Sequence, residues 1–302
     1  MDAKPLLIVI VGPTGVGKTD VAVSVAERLG TEIVNADSRQ IYRDIPIGTA
    51  APSAEQLRRV RHHFVGTLGL SDYFSAARFE EEALAVIDGI FAARGVAVMC
   101  GGSMMYVDAV CEGIDRMPDV DAEVRRDLRL RLEREGVEPL LEELRVADPA
   151  YYAEVDRKNG VRVVHALEVC YTSGQPFSAF RRGEKKARPF NVLKIGLTLP
   201  REVLFRRINE RVSRMVEAGL LDEVARVEPM RSENALNTVG YKELFRWRDG
   251  EWPLDFALER MRKNTRVYAK KQMTWLKKDE KIHWFQPDQL DEINALIDGE
   301  RG

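Results

Sequence analysis

An α/β fold, a parallel sheet flanked by helices with an all-helical insertion, is predicted by three features of this 302-residue chain. The run Leu6-Leu7-Ile8-Val9-Ile10-Val11 has strand length, and Gly12-Pro13-Thr14-Gly15-Val16-Gly17-Lys18-Thr19 follows it with the spacing G-x-x-x-x-G-K-[ST]. Strand-like runs alternate with helical patterns early in the chain, and strand character returns late. Between them lies a long stretch with helical periodicity alone. Strand, glycine-rich turn and helix in that order define a P-loop NTPase-like core.

Each element has its own signal. Val21, Val25 and Leu29 recur at helical intervals after the loop. Glu32-Ile33-Val34 predicts a short strand leading into Asn35-Ala36-Asp37-Ser38, and a helix is expected from about Ser75 to Ala93. Val96-Ala97-Val98-Met99-Cys100 predicts another strand, stopped at Gly101-Gly102-Ser103 before a further helix. From Ala122 to about Ser173 the apolar residues keep helical spacing, as in Val124, Leu128 and Leu132. Val192 to Leu199 is strand-like and Pro200 closes it; Phe205, Ile208, Val212, Met215 and Val216 then form a helical stripe that Gly219 ends or kinks. A basic helix is expected from about Leu254 to Lys277, with Trp275 in the core, and the polar end from Gln286 to Gly302 is expected to dock loosely. The expected domains are 1–117 with 191–302 as the α/β core and 118–190 as the insertion.

Composition excludes several classes. Net charge is −2 with a pI near 6.2, so bulk electrostatics do not announce nucleic acid. Basic residues nonetheless crowd two segments, Arg181 to Arg188 and Arg260 to Lys281. Three cysteines without C-x-x-C spacing argue against a disulfide framework or zinc site. The first apolar run is too short for a bilayer and ends in the glycine-rich loop, so neither membrane span nor signal peptide is expected. A cytoplasmic protein fits this pattern.

The glycine-rich loop predicts a polyphosphate site: backbone N–H groups and the helix N-terminus face the phosphates, Lys18 supplies a point charge, and the Thr19 hydroxyl is a magnesium ligand. Asp37, at a strand end across from the loop, fits a magnesium-associated carboxylate, a general base or a turn cap. Met99-Cys100 runs into Gly101 without the usual carboxylate, which argues against an ordinary ATPase. Arg207 and Arg211, four apart, either clamp phosphate or are solvated. The adjacent His62 and His63 cannot easily face one ligand, so a structural or substrate-contact role is expected. Gly240-Tyr241-Lys242 is either a base-stacking and phosphate contact or simply a turn.

Taken in order, these motifs resemble the bacterial tRNA dimethylallyltransferase (tRNA isopentenyltransferase) family. The similarity covers Gly12 to Thr19, Asp37-Ser38-Arg39-Gln40-Ile41-Tyr42-Arg43, Ile47-Gly48-Thr49-Ala50, His62-His63, Gly101-Gly102-Ser103 with Tyr106, Arg162 with Ala166-Leu167-Glu168-Val169, Val239 to Leu244, and Arg262 to Leu276. It implies transfer of a dimethylallyl group from dimethylallyl diphosphate to N6 of adenosine 37 in the tRNA anticodon loop. The resemblance makes Asp37, Thr19 and Lys18 catalytic. It assigns the diphosphate, with Mg2+ on Thr19, to Gly12, Pro13, Thr14, Gly15, Val16, Gly17, Lys18, Thr19, Arg207 and Arg211. It assigns the tRNA anticodon stem-loop to Asp37, Ser38, Arg39, Gln40, Ser103, Arg125, Arg162, His165, Val239, Gly240, Tyr241 and Lys242, with the insertion and the basic C-terminal helix as the grip. A monomer is expected. Ser103 in place of threonine, Ala51 in place of lysine, His165 in place of arginine and the bulky Met104-Met105 depart from the pattern. A nucleoside-type kinase, prenylation of free adenine nucleotides and an RNA-binding protein with a relict loop are the alternatives.

Overall fold

The computed structural model describes residues 4–301. The chain divides into two compact units, Met1–Glu112 with Ala187–Gly302, and Gly113–Lys186. In chain order the first unit begins β1 Leu6–Val11, α1 Lys18–Leu29, β2 Ile33–Asn35, α2 Ala54–Arg59, β3 His62–His63, α3 Ala76–Arg94, β4 Val96–Cys100 and α4 Met104–Glu112. The second unit holds α5 Ala122–Glu135, α6 Glu138–Ala147, α7 Pro149–Glu154 and α8 Gly160–Ser173. The first resumes with β5 Asn191–Leu197, α9 Arg201–Glu217, α10 Leu220–Val227, α11 Tyr241–Arg248, α12 Leu254–Leu276, β6 Ile282–Phe285 and α13 Leu290–Arg301.

The six strands pair in parallel in the order β3-β2-β4-β1-β5-β6. Successive side chains of a strand point to opposite faces, and β1 shows the result. Leu7, Val9 and Val11 join a core with α3, α4 and α10 to α12, while Leu6, Ile8 and Ile10 join one with α1, α9 and α13. A sheet covered on both faces needs apolar residues at every position, which is why β1 and β4 are uninterrupted apolar runs.

Two expectations need correction. The segment from Gln286 is not loosely docked: α13 buries Ile293 and Ile297 completely, four residues apart on one face, and Arg28 pairs with Asp298 at 2.5 Å. Trp275 is not a core residue. It is 46% exposed on α12, where Nε1 donates to Asp108 at 3.2 Å. Gly219, with φ 97°, separates α9 from α10, so it ends the helix.

The second unit packs Leu128, Leu140, Leu144, Val163 and Leu167 into a core of its own. Asp148 caps α7 through the N–H of Tyr151 and also accepts from the backbone and hydroxyl of Ser178. Glu168 is buried on α8, 3.5 Å from Arg125 Nε and 3.5 Å from His165 Nδ1. Among the described residues no helix is long and apolar enough to cross a membrane.

Candidate active site

The site lies at the carboxyl ends of β1, β2 and β4, where open parallel sheets bind ligands. Gly12 leaves β1 with φ 150°, and a Cβ there would lie 2.7 Å from Leu197 O, so the turn requires glycine. The loop closes on itself: Lys18 Nζ donates to Pro13 O at 2.9 Å. Desolvation pulls the Lys18 ammonium down to about 8, against the opposing pull of the Asp37 carboxylate. Burial likewise depresses Arg211, whose NH1 donates to Thr14 Oγ1 at 3.3 Å. Two half-buried cations held below their ordinary values favour an anion beside them. The Cys100 thiol, pushed up to about 12 by burial, stays neutral beside them.

Two cavities meet here. One, about 360 Å³, is lined by Thr14, Lys18, Thr19, Asn35, Arg207, Arg211 and Arg214. The other, about 530 Å³, is lined by Ser38, Arg39, Ser103, Val239, Lys242, Asn264 and Lys271. Asp37, Thr14, Thr49, Arg211 and Tyr268 line both. Asp37 Oδ1 accepts from the N–H groups of Arg39 and Gln40 at 2.9 and 3.3 Å, so the carboxylate caps the following turn and lines both cavities at once. Ser103 Oγ accepts from Ser38 N at 2.8 Å and donates to Ser38 Oγ at 3.0 Å, tying the β4 and β2 strand ends together. Gln40 Nε2 is turned inward to Thr49 O and Ala50 O at 3.2 and 2.9 Å.

Most of the expected residues of the first unit therefore come together, but not all. Gly12, Pro13 and Val16 of the loop are buried and line neither cavity, and the same is true of Gly240 and Tyr241. Their neighbours Val239 and Lys242 carry that segment's exposure to the cavity. Tyr241 is the correction that matters, because its ring lies within the core as the first residue of α11. His62 and His63 lie on the edge strand instead, His63 Nε2 2.6 Å from Glu32 and His62 Nδ1 2.8 Å from Val60 O, which is the structural role. Arg162 is exposed on α8 of the second unit, and Arg125 and His165 are the partners of Glu168 there.

The sequence gives no role to Tyr268, Gln272 or Arg214, all of which line the smaller cavity. Tyr268, Lys271 and Gln272 lie within one turn of α12, a spacing legible in the sequence once that helix is known to face the phosphate loop. Among the described residues no three His, Cys, Asp or Glu side chains converge to hold a metal. Magnesium rarely needs them: one or two oxygen ligands with substrate phosphates suffice. The hard oxygens of Thr19 and Asp37 on the smaller cavity fit that donor set.

A glycine-rich loop beside one cavity, a larger cavity adjoining it and one carboxylate that lines both mark a phosphate-loop protein with two neighbouring ligand-sized spaces. The chain belongs to the IPP transferase family, whose model matches residues 40–279. It is 56% identical over 289 residues to tRNA dimethylallyltransferase 1 of Bacteroides thetaiotaomicron, covering 96% of this chain and 94% of that one. It is 54% identical over 297 residues to tRNA dimethylallyltransferase 1 of Bacteroides fragilis, covering 98% of each. The crystal structure of the full-length tRNA isopentenylpyrophosphate transferase of Bacillus halodurans superposes with a TM-score of 0.73 at 34% identity, covering 98% of this chain and 97% of that one. A eukaryotic dimethylallyltransferase acting on tRNA superposes with a TM-score of 0.75 at 26% identity, covering 94% and 74%.

Proposed function

We propose that this chain transfers the dimethylallyl group of dimethylallyl diphosphate to N6 of adenosine 37 in the tRNA anticodon loop, releasing pyrophosphate. The observation that carries this is Asp37 at the shared wall of a cation-lined cavity and a larger one. The smaller holds the diphosphate and the larger the adenine, which must leave its stack to enter. N6 forms a bond to C1 of the dimethylallyl group as the C1–O bond breaks. The bonding pair leaves with the diphosphate, and the N6 proton passes to the Asp37 carboxylate. Lys18, Arg207 and Arg211 stabilise the negative charge that develops on the leaving group. Mg2+ held by Thr19 would neutralise part of the same charge. The second unit, through exposed Arg162 and its neighbours His165 and Arg125, and the basic face of α12 grip the anticodon stem-loop by its backbone and shape. The enzyme acts as a cytoplasmic monomer in this scheme.

The test is incubation with labelled dimethylallyl diphosphate, magnesium and unmodified tRNA, followed by nucleoside analysis. Labelled N6-dimethylallyladenosine is the expected product. Thermal shifts give a second readout, since a ligand at 100 times its Kd adds about 2.7 kcal/mol to stability. Dimethylallyl diphosphate should protect more than ATP. Stronger protection by ATP, with phosphoryl transfer to a small acceptor, would overturn the assignment.

A further inference from the structure

Gln272 is 2% exposed on α12, and its carboxamide is used at both ends. Oε1 accepts from Thr14 N at 2.8 Å, and Nε2 donates to Gly102 O at 2.9 Å. Thr14 belongs to the phosphate loop and Gly102 to the turn after β4. That turn is seated on the end of β2: Gly101 packs so closely that a Cβ would lie 2.1 Å from Ala36 O, and Ser103 N donates to the same oxygen at 3.1 Å. Asp37 is the next residue. A single amide thus spans the loop that would hold the leaving group and the strand end that carries the carboxylate.

We propose that Gln272 is a positioning residue that sets the distance between the phosphate loop and Asp37, and so between leaving group and proton acceptor. The proposal rests on the prenyl-transfer reading above. Reaction geometry is sensitive at this scale, since a displacement of about 1 Å can cost 10²-fold in rate. Only a side chain with an acceptor and a donor at fixed separation serves both loops. A carboxylate serves Thr14 N but faces Gly102 O with an acceptor, unless it is protonated. Burial disfavours the charged form of such a group, so Gln272→Glu gives a variant whose defect depends on its own protonation. Gln272→Met keeps the volume and removes both hydrogen bonds.

The experiment measures kcat and the KM for tRNA of the parent, Gln272→Glu and Gln272→Met between about pH 5.5 and 8.5, with melting temperatures for each. The charged groups Lys18, Asp20, Asp37, Arg207, Arg211 and Arg214 line the same cavity in all three proteins, so the uncharged Gln272→Met variant is the reference against which the Gln272→Glu profile is read. Both variants should lose at least about tenfold in kcat while the KM for tRNA stays within about twofold. The Gln272→Glu ratio should climb as pH falls, and the Gln272→Met ratio should stay flat. Parental kcat in either folded variant, a loss confined to the KM for tRNA, or parallel pH profiles for the two variants would overturn the proposal. Failure of both to fold would overturn it too, by making Gln272 a folding residue. A parent inactive on tRNA would instead refute the reaction assignment.

Discussion

Tyr241 Oη donates a 2.6 Å hydrogen bond to Glu223 Oε1, and both side chains are fully buried. The same carboxylate accepts from Ile47 N at 2.9 Å and Gly48 N at 2.8 Å. Gly48 is required there, because a Cβ would lie 2.3 Å from Tyr241 Oη. Burial, reinforced by Glu223, pushes the phenol far above its ordinary value, so it remains a donor. This pair braces the turn whose Thr49 and Ala50 carbonyls hold Gln40, and Ala50 sits in that turn at φ 48°.

Tyr241→Phe should therefore act on stability. A buried carboxylate losing one of its donors costs about 1–3 kcal/mol, visible as a lower melting temperature. The affinity for tRNA should change by less than about twofold, since the ring has no path to the cavity. An unchanged melting temperature with tenfold weaker RNA binding would restore the ring to the interface.

Lys18 should make donor binding pH-dependent. In the free protein its ammonium titrates near 8, and a bound diphosphate favours the charged form and raises that value. The free enzyme is fully competent below pH 7 and loses the charge as pH rises through 8. The KM for dimethylallyl diphosphate should therefore be about tenfold higher at pH 9 than at pH 7. Lys18→Arg should flatten this rise, because arginine stays charged. A KM constant across the range in the parent would mean that Lys18 is already paired before the donor arrives.

Asp37→Asn keeps an oxygen able to cap the Arg39 and Gln40 N–H groups but cannot take a proton at neutral pH. Its kcat should fall by about 10²–10⁴-fold, with the melting temperature and tRNA affinity near those of the parent. Asp37→Ala removes the cap as well and should be the less stable of the two. Near-parental kcat in Asp37→Asn would place the base elsewhere.

The sheet was legible because its residues report on themselves: β1 and β4 are uninterrupted apolar runs between turn residues, and the phosphate loop fixes where the chain turns. Asp37 and Lys18 could be placed beside each other because strand ends and loops of a parallel sheet share one edge. Tyr241 was not legible, since an aromatic beside a lysine has the same appearance whether it stacks on a base or fills a core. What decides it is Glu223, eighteen residues away and invisible to local pattern. Gln272 was hidden for the same reason, with partners 258 and 170 positions distant. The docking of α13 was written in Ile293 and Ile297, but two residues in a polar tail are a weak signal.

The exposed face of α12 should carry the salt dependence of tRNA binding. Lys270, Lys271 and Lys278 surround Trp275 in a shallow cavity of about 280 Å³, with Lys278 Nζ 5.6 Å from the Trp275 ring. Lys271 also lines the larger cavity at the site, so it borders both surfaces. Each phosphate neutralised releases condensed counterions, and the logarithm of affinity falls with the logarithm of salt by about 0.7–0.9 per contact. Lys271→Ala should weaken tRNA binding at low salt, reduce the slope by that amount and leave the KM for dimethylallyl diphosphate unchanged. Trp275→Ala removes a stacking surface without removing a charge, so it should weaken binding with the slope intact. Filter binding at four or five salt concentrations separates the two effects. A slope identical to the parent's in Lys271→Ala would take this face of α12 out of the RNA interface.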